Sequence, residues 1–193
     1  MRDTTLRRFT SLGCALLCAT LLAECSSPPP TLYTVAPLQG AAVRSKPKVV
    51  LLRDIGLARY LDRSQIVRSS ENYRLDVMTN DWWGESLGAM LSRVLVEELS
   101  QRLPGTTVYA EAGAVTTRPD VTVELNIQRM DEDRAGGVVL LAQADIHVTG
   151  RPGSTARTIR TVIPVQGSGT SAEVTAISTA VGQLADELAA MLG

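Results

Sequence analysis

In the second half of the chain, hydrophobic residues alternate with polar ones. From residue 121 to 128 every second residue is aliphatic, and the same period of two returns from 140 to 148 after Gly136-Gly137. Arg151-Pro152-Gly153 then turns the chain into a further strand from 158 to 165. This period predicts an antiparallel meander with one buried and one wet face.

Shorter strands are predicted in the first half. Residues 49–52, Val-Val-Leu-Leu, are a continuous apolar run, which predicts a buried central strand. Residues 32–35, 65–67 and 73–77 have the β-branched and aromatic content of strands, and 69–72 would be the turn between the last two.

Two segments repeat hydrophobic residues at the spacing of an amphipathic helix. The first is predicted from about Trp82 to Leu103, with Leu residues and Val94 on its buried side. Asn80 or Asp81 would cap this helix and Pro104-Gly105 would end it.

The second predicted helix begins at residues 170–173, whose sequence Thr-Ser-Ala-Glu is a capping box, and its apolar stripe reaches Met191. Because each helix has one apolar stripe and the sheet has one polar face, both helices should pack on the same side. The predicted fold is α/β: a two-layer sandwich with a mixed, mostly antiparallel sheet and two helices, in a single domain from residue 31 to 193.

The chain begins with a basic segment, which is followed by an uncharged apolar run. Arg2, Arg7 and Arg8 supply the charge, and residues 9–23 form the run. It is shorter than the roughly 20 residues that span a bilayer. The pattern predicts a signal peptide and not a transmembrane anchor.

Residues 22–25, Leu-Ala-Glu-Cys, resemble the lipobox of bacterial lipoproteins. Glu24 departs from that pattern, which has Gly, Ala or Ser at this position. We expect residues 1–24 to be removed and Cys25 to carry the lipid, followed by a proline-rich tether up to residue 30. The usual sorting rule retains a lipoprotein in the inner membrane when Asp follows the lipidated Cys. Ser26 stands there instead, so the expected location is the outer membrane, facing the periplasm.

Composition excludes several classes of function. The cysteines are Cys14, Cys18 and Cys25, so the processed chain could form neither a disulfide framework nor a thiolate metal site. Processing removes three of the 19 basic and two of the 20 acidic residues, which leaves a net charge of −2. Such a domain has no basic stripe for nucleic acid, and its membrane attachment would depend on acyl chains.

The candidates for chemistry have simpler structural interpretations. His147 and Asp145 should lie side by side on a wet strand face, with no nucleophile nearby. Residues 131–133, Asp-Glu-Asp, do not continue as an EF-hand loop and are expected at a charged hairpin end. Residues 167–170 lack the Lys of a phosphate-binding loop and predict a turn. The sequence therefore predicts no catalytic residue, no metal site and no cofactor.

Trp82 and Trp83 are adjacent in a chain with only seven aromatic residues. Neighbouring positions on a helix diverge by about 100°, so one ring should be at least partly exposed and available to a partner. Burial of both rings at the edge of the core fits the sequence equally well.

Residues 60–67, Tyr-Leu-Asp-Arg-Ser-Gln-Ile-Val, resemble the segment Tyr-Leu-Asp-Arg-Pro-Gln-Ile-Val of the ABC-type transport auxiliary lipoproteins, the PqiC-like family of Gram-negative bacteria. Residues 83–87, Trp-Gly-Glu-Ser-Leu, resemble that family's Trp-Ala-Glu-Pro-Leu, and residues 32–35 resemble its early strand. The order of elements is similar from about residue 31 onward. The resemblance implies a fold similar to the amino-terminal domain of TolB.

The resemblance also implies a non-enzymatic role. Such lipoproteins accompany an ABC transporter complex and a periplasmic Mce-domain protein, in systems that move lipids between the inner and outer membranes and support envelope integrity. One alternative is a lipoprotein that activates a peptidoglycan synthase. Another, with less support, is a periplasmic lipid-binding or hydrolytic protein.

The segment of strongest resemblance and the tryptophan pair predict a contact surface. Its candidate residues are Tyr60, Asp62, Arg63, Trp82 and Trp83. The partner would be the Mce-domain protein or a sister subunit of a homo-oligomer. In the competing interpretation, Asp62 and Arg63 only pair with each other and fix a turn.

Overall fold

The structure, a computed structural model, describes residues 28–193. The expected signal peptide and the lipid attachment at Cys25 lie outside the described residues. In chain order the elements are β1 (Thr31–Tyr33), β2 (Val49–Leu52), β3 (Gly56–Leu57), β4 (Gln65–Ser69), β5 (Asp76–Trp83), α1 (Leu87–Arg102), β6 (Thr107–Ala110), β7 (Val121–Glu132), β8 (Gly137–Val148), β9 (Thr155–Pro164) and α2 (Thr170–Leu192).

All these strands belong to one mixed sheet with β7 in the middle. On one side β7 pairs antiparallel with β8, and β8 pairs antiparallel with β9, which is the predicted meander. On its other side β7 pairs parallel with β2, β3 and β4 at successive points along its length. Beyond these, β6 pairs with β2, and β5 and then β1 continue from β4.

Both helices cover the same face of the sheet, as predicted. α1 and α2 pack against each other, and their buried aliphatic residues form one core with the inward residues of β7 and β8. The opposite face is polar, with Glu124, Asn126 and Gln143 exposed on it. One apolar and one wet face give the two-layer α/β sandwich.

The prediction for the start of the first helix was wrong. Residues 76–83 form β5, and α1 begins at Leu87, after Ser86 as N-cap residue. Asn80 and Asp81 therefore lie in a strand and cap nothing. The tryptophans at the end of β5 favour a strand, and β4 and β1 satisfy the backbone groups there from both sides. The predicted strand at 73–77 is displaced accordingly.

The second helix begins at Thr170 as predicted, but without the capping box. Gly169 is the N-cap residue, in the left-handed region with φ 81°. The hydroxyl of Thr170 instead donates to Asp81 Oδ2 of β5 at 2.5 Å, and the Glu173 side chain is buried. Contacts between the helix and the sheet have replaced the local cap.

A bulge in β7 changes the face on which its last residues lie. Pairing with β8 shifts between Ile127 and Arg129. One extra residue reverses the alternation, so Met130 continues the inward-facing series. Arg129 and Asp131 thereby lie on the face opposite the helices.

Residues 34–43, here called the crossing segment, lead from β1 across both helices toward β2. The Ala36 amide donates to the Ser178 hydroxyl of α2 at 3.1 Å. The Leu38 amide donates to Glu98 Oε1 of α1 at 2.7 Å. The amino-terminal part of the domain is thus fastened to both helices.

Candidate functional site

Backbone pairing brings the two predicted motifs together. The Trp83 amide donates to the Ser64 carbonyl at 2.7 Å, and Gln65 is in register with Trp82. Residues 60–64 therefore lie beside the end of β5. The two motifs are separate in sequence, and the pairing of β4 with β5 brings them into one region of the surface.

Three of the predicted residues form the accessible part of this region. Asp62 and Arg63 are exposed, and Trp82 is half-buried with its indole N–H donating to the Thr79 carbonyl at 3.0 Å. We call Asp62, Arg63 and Trp82 the Asp62–Trp82 surface. Within residues 28–193 neither Asp62 nor Arg63 takes part in an ion pair, so the local pair of the competing interpretation does not form.

The other two predicted residues are less accessible than Asp62 and Arg63. Trp83 is 6% exposed and packs in the core. Alternation along β5, and not divergence around a helix, separates its ring from that of Trp82. Tyr60 is half-buried, and its hydroxyl donates to Asp131 Oδ2 at 2.6 Å.

Asp131 belongs to a buried polar network that the sequence prediction missed. Its side chain is 0% exposed and accepts from Arg129 Nε at 2.9 Å as well as from Tyr60. Arg129 also contacts Glu71 at 2.8 Å. Residues 131–133 do lie at the β7–β8 hairpin end, as predicted, and Asp133 accepts amide hydrogen bonds there from Ala135 and Gly137, but the burial of Asp131 was not predicted.

This network holds a neutral tyrosine. Burial raises the pKa of Tyr60 well above its usual range, and the hydrogen bond and negative charge of Asp131 act in the same direction. A protonated Tyr60 donates to a carboxylate that Arg129 neutralises. The network thus fixes residues 58–61 against β7, which sets the position of Asp62 and Arg63.

Glu173 is the second buried acid that the sequence did not reveal. It lies in the first turn of α2, is 2% exposed, and its Oε1 has no hydrogen-bond partner within the described residues. Burial raises the pKa of Glu173 to about 8, and the nearby carboxylate of Glu132 adds to the rise while Arg68 opposes it. Glu173 is therefore mostly protonated in the folded protein at neutral pH.

The stability of the domain should fall as pH rises, because of Glu173. A glutamate in an unfolded chain has a pKa of about 4.3, so between about pH 4.3 and pH 8 the folded state binds more protons. The free energy of unfolding then decreases through this window, by up to about 1.4 kcal/mol per pH unit. Melting temperatures across the window should show a flatter dependence in Glu173→Gln than in the wild type.

Glu187→Gln is the matched control, since Glu187 lies on the same helix with 48% of its side chain exposed. It should leave the pH dependence unchanged. Identical pH dependence in Glu173→Gln and the wild type would show that Glu173 is not protonated on folding.

His147 and Asp145 lie on the wet sheet face, as expected. His147 Nε2 is 3.3 Å from Asp145 Oδ2, and both side chains are partly exposed. Ser154 donates its hydroxyl hydrogen to Asp145 and not to His147, so no activated nucleophile results. An open depression of about 720 Å³ adjoins Asp145; it is lined mainly by polar side chains, including Arg53, Glu124, Asn126, Gln143 and Arg157.

Among residues 28–193, no three His, Cys, Asp and Glu side chains come together as a metal site would require. No helix in this part of the chain has the length and apolarity to cross a membrane.

A family model described as ABC-type transport auxiliary lipoprotein component matches residues 31–189. The match begins at the first residue of β1 and ends within α2. It includes both motifs that border the Asp62–Trp82 surface. No curated protein sequence matches the chain.

Two crystal structures have similar folds. One, of an uncharacterized protein, has a TM-score of 0.72 and 18% sequence identity, covering 86% of this chain and 100% of that one. The other, of a protein from Xanthomonas campestris with the family label DUF330, has a TM-score of 0.65 and 20% identity, covering 82% and 92%. At these identities the likeness concerns the fold, and it confirms the α/β sandwich.

Proposed function

We propose, because the chain belongs to the family of ABC-type transport auxiliary lipoprotein components, that it is a non-enzymatic outer-membrane lipoprotein assisting an Mce-type ABC system. That system would move lipids between the inner and outer membranes. The observation that carries the proposal is the family match over residues 31–189, which is nearly the whole described domain. The lipid on Cys25 would hold the domain at the membrane.

The Asp62–Trp82 surface is the part of the domain that suits a protein partner. Arginine and tryptophan are enriched among the residues that dominate binding energy at interfaces. Arg63 is exposed and has no carboxylate partner within the described residues, so its charge is available for a partner's acid. We propose that the Mce-domain protein binds here, and that a sister subunit is the alternative occupant.

Arg63→Ala should weaken capture of the partner without changing the melting temperature. Truncating an arginine that anchors an interface typically costs about 2 kcal/mol or more of binding. The stability of the fold should not change, because no ion pair of Arg63 is lost. Pull-down from detergent-solubilised envelopes and thermal unfolding of the purified variant measure the two effects.

A photo-crosslinking residue at position 63 identifies the partner in intact cells. The matched control is position 115 in the loop between β6 and β7, where Val115 is 43% exposed. Crosslinks from position 63 to an Mce-domain or transporter subunit support the proposal, and crosslinks to a peptidoglycan synthase favour the alternative function. If position 63 and position 115 give the same products, the surface is not a binding site.

A further inference from the structure

The turn between β4 and β5 has an unusual conformation. Asn72 and Tyr73 both have positive φ, 56° and 60°. Consecutive left-handed residues are the geometry of a tight hairpin turn, in which glycine is preferred at the place of Tyr73. A bulky residue there strains the backbone, and strain of this kind is concentrated at functional sites.

The side chains at this turn are exposed in an equally unusual way. Tyr73 is 107% exposed and Leu75 is 40% exposed. Arg74 between them is exposed, and so is Arg134 in the neighbouring β7–β8 turn, which contacts Glu71. We call residues 72–75 the hairpin tip. It presents an aromatic ring and an aliphatic side chain to solvent, with arginines beside them.

The direction of β1 relates the hairpin tip to the lipid anchor. β1 runs parallel to β5, with Thr31 beside Asp81, and β5 begins at Asp76 directly after the tip. The chain therefore enters β1 from the side of the tip. Cys25 stands six residues before Thr31, which allows at most about 20 Å of extended chain. The five residues from Asp81 back to Asp76 span about 17 Å.

We infer that the hairpin tip rests in the headgroup region of the membrane that holds the anchor; this inference relies on the lipid at Cys25 in the proposed function. Tyrosine rings are favoured at the membrane–water interface, since they have an apolar body and a polar end. Leu75 adds apolar area, and Arg74 and Arg134 can pair with lipid phosphates. The short tether keeps the tip within reach of the bilayer.

This contact would orient the domain. With the tip at the membrane, β5 points away from it, and Trp82 stands about 20 Å further out than Asp76. The Asp62–Trp82 surface is then presented to the periplasm, where a partner that bridges the envelope can reach it.

The test uses the full chain, processed and lipidated, with Tyr73→Cys. The substituted position carries the free thiol, because Cys14 and Cys18 are removed and Cys25 is acylated. A fluorophore on that thiol is measured on vesicles of phosphatidylethanolamine and phosphatidylglycerol containing a lipid with a nitroxide near its headgroup. The label should lose most of its fluorescence. Val148→Cys at the carboxyl end of β8 is the matched control, since Val148 is 38% exposed and lies at the opposite end of the sheet from the hairpin tip, and its label should lose little.

A second variant removes the ring and keeps the turn. Tyr73→Gly suits the left-handed backbone, so the hairpin should form as before. Vesicles should slow trypsin cleavage after Arg74 in the wild type and no longer do so in Tyr73→Gly.

The outcomes separate the anchor from the tip. Protein that fails to sediment with the vesicles refutes the lipid anchor, and the inference with it. Protein that sediments with equal quenching at positions 73 and 148 refutes the membrane contact of the tip alone. A label at position 73 that is shielded only when a protein partner is added assigns the tip to that partner and also overturns the inference.

Discussion

Replacing Arg102 with Leu should lower the free energy of unfolding by about 2–4 kcal/mol, because two backbone carbonyls lose their hydrogen-bond donor. The Arg102 side chain is 1% exposed and lies between the two helices and the crossing segment. Its Nε is 2.6 Å from Asp186 Oδ1. Its two terminal nitrogens donate to backbone carbonyls of Leu38, Glu98 and Gly182, at 3.0, 3.2 and 3.1 Å.

Leucine fills part of the space but donates no hydrogen bond. The Leu38 and Gly182 carbonyls would lose their donor, and the loss at Gly182, whose hydrogen bond is buried, is the more costly. Gly40 shows how closely the guanidinium is enclosed, since a Cβ there would lie 2.3 Å from Arg102 Cζ. For a domain of this size the melting temperature should fall by about 10 °C, measured by thermal unfolding.

Arg93→Leu is the matched control on the same helix. Arg93 is 51% exposed and pairs with Glu85 at 2.7 Å, and surface pairs of this kind contribute about 0–1 kcal/mol. If Arg102→Leu were no more destabilising than Arg93→Leu, the buried guanidinium would not be holding the helices and the crossing segment together.

Cys25→Ala should abolish acylation completely and leave unprocessed precursor in the inner membrane. Lipid attachment requires a thiol, and Cys25 is the cysteine that follows the lipobox-like residues 22–24. Metabolic labelling with a fatty-acid probe measures the loss, and membrane fractionation shows where the protein is found.

Cys18→Ala serves as the control, since Cys18 lies within the predicted apolar run. That variant should retain full labelling and be found in the outer membrane. Fatty-acid label persisting in Cys25→Ala would show that another residue carries the lipid.

Much of the fold could be predicted from the sequence because its signals are periodic. The alternation from residue 121 to 127 and the apolar stripes of both helices follow from which face is buried, and a single sequence contains that pattern. The end of β5 could not be placed this way. Trp82 and Trp83 fit a helix start by spacing, and only the pairing with β1 and β4 makes them a strand.

The buried polar groups were harder to predict for two physical reasons. Glu98 and Arg102 follow Leu95 and Leu99 by three residues each, so they lie on the buried stripe, and this spacing was a usable signal. Asp131 had no such signal. Its position depends on the bulge after Ile127 and on a hydrogen bond to Tyr60, which is distant in sequence.

The contacts of the crossing segment determine when, during folding, the domain can be completed. Ala36 and its hydrogen-bond partner Ser178 are 142 residues apart, and Ser178 belongs to α2. Contacts of such long separation form slowly, because the intervening chain must be ordered first. A ribosome makes α2 after all the other elements that the structure describes. The crossing segment therefore stays open until α2 has arrived, so the amino-terminal part of the domain is completed only after this helix has formed.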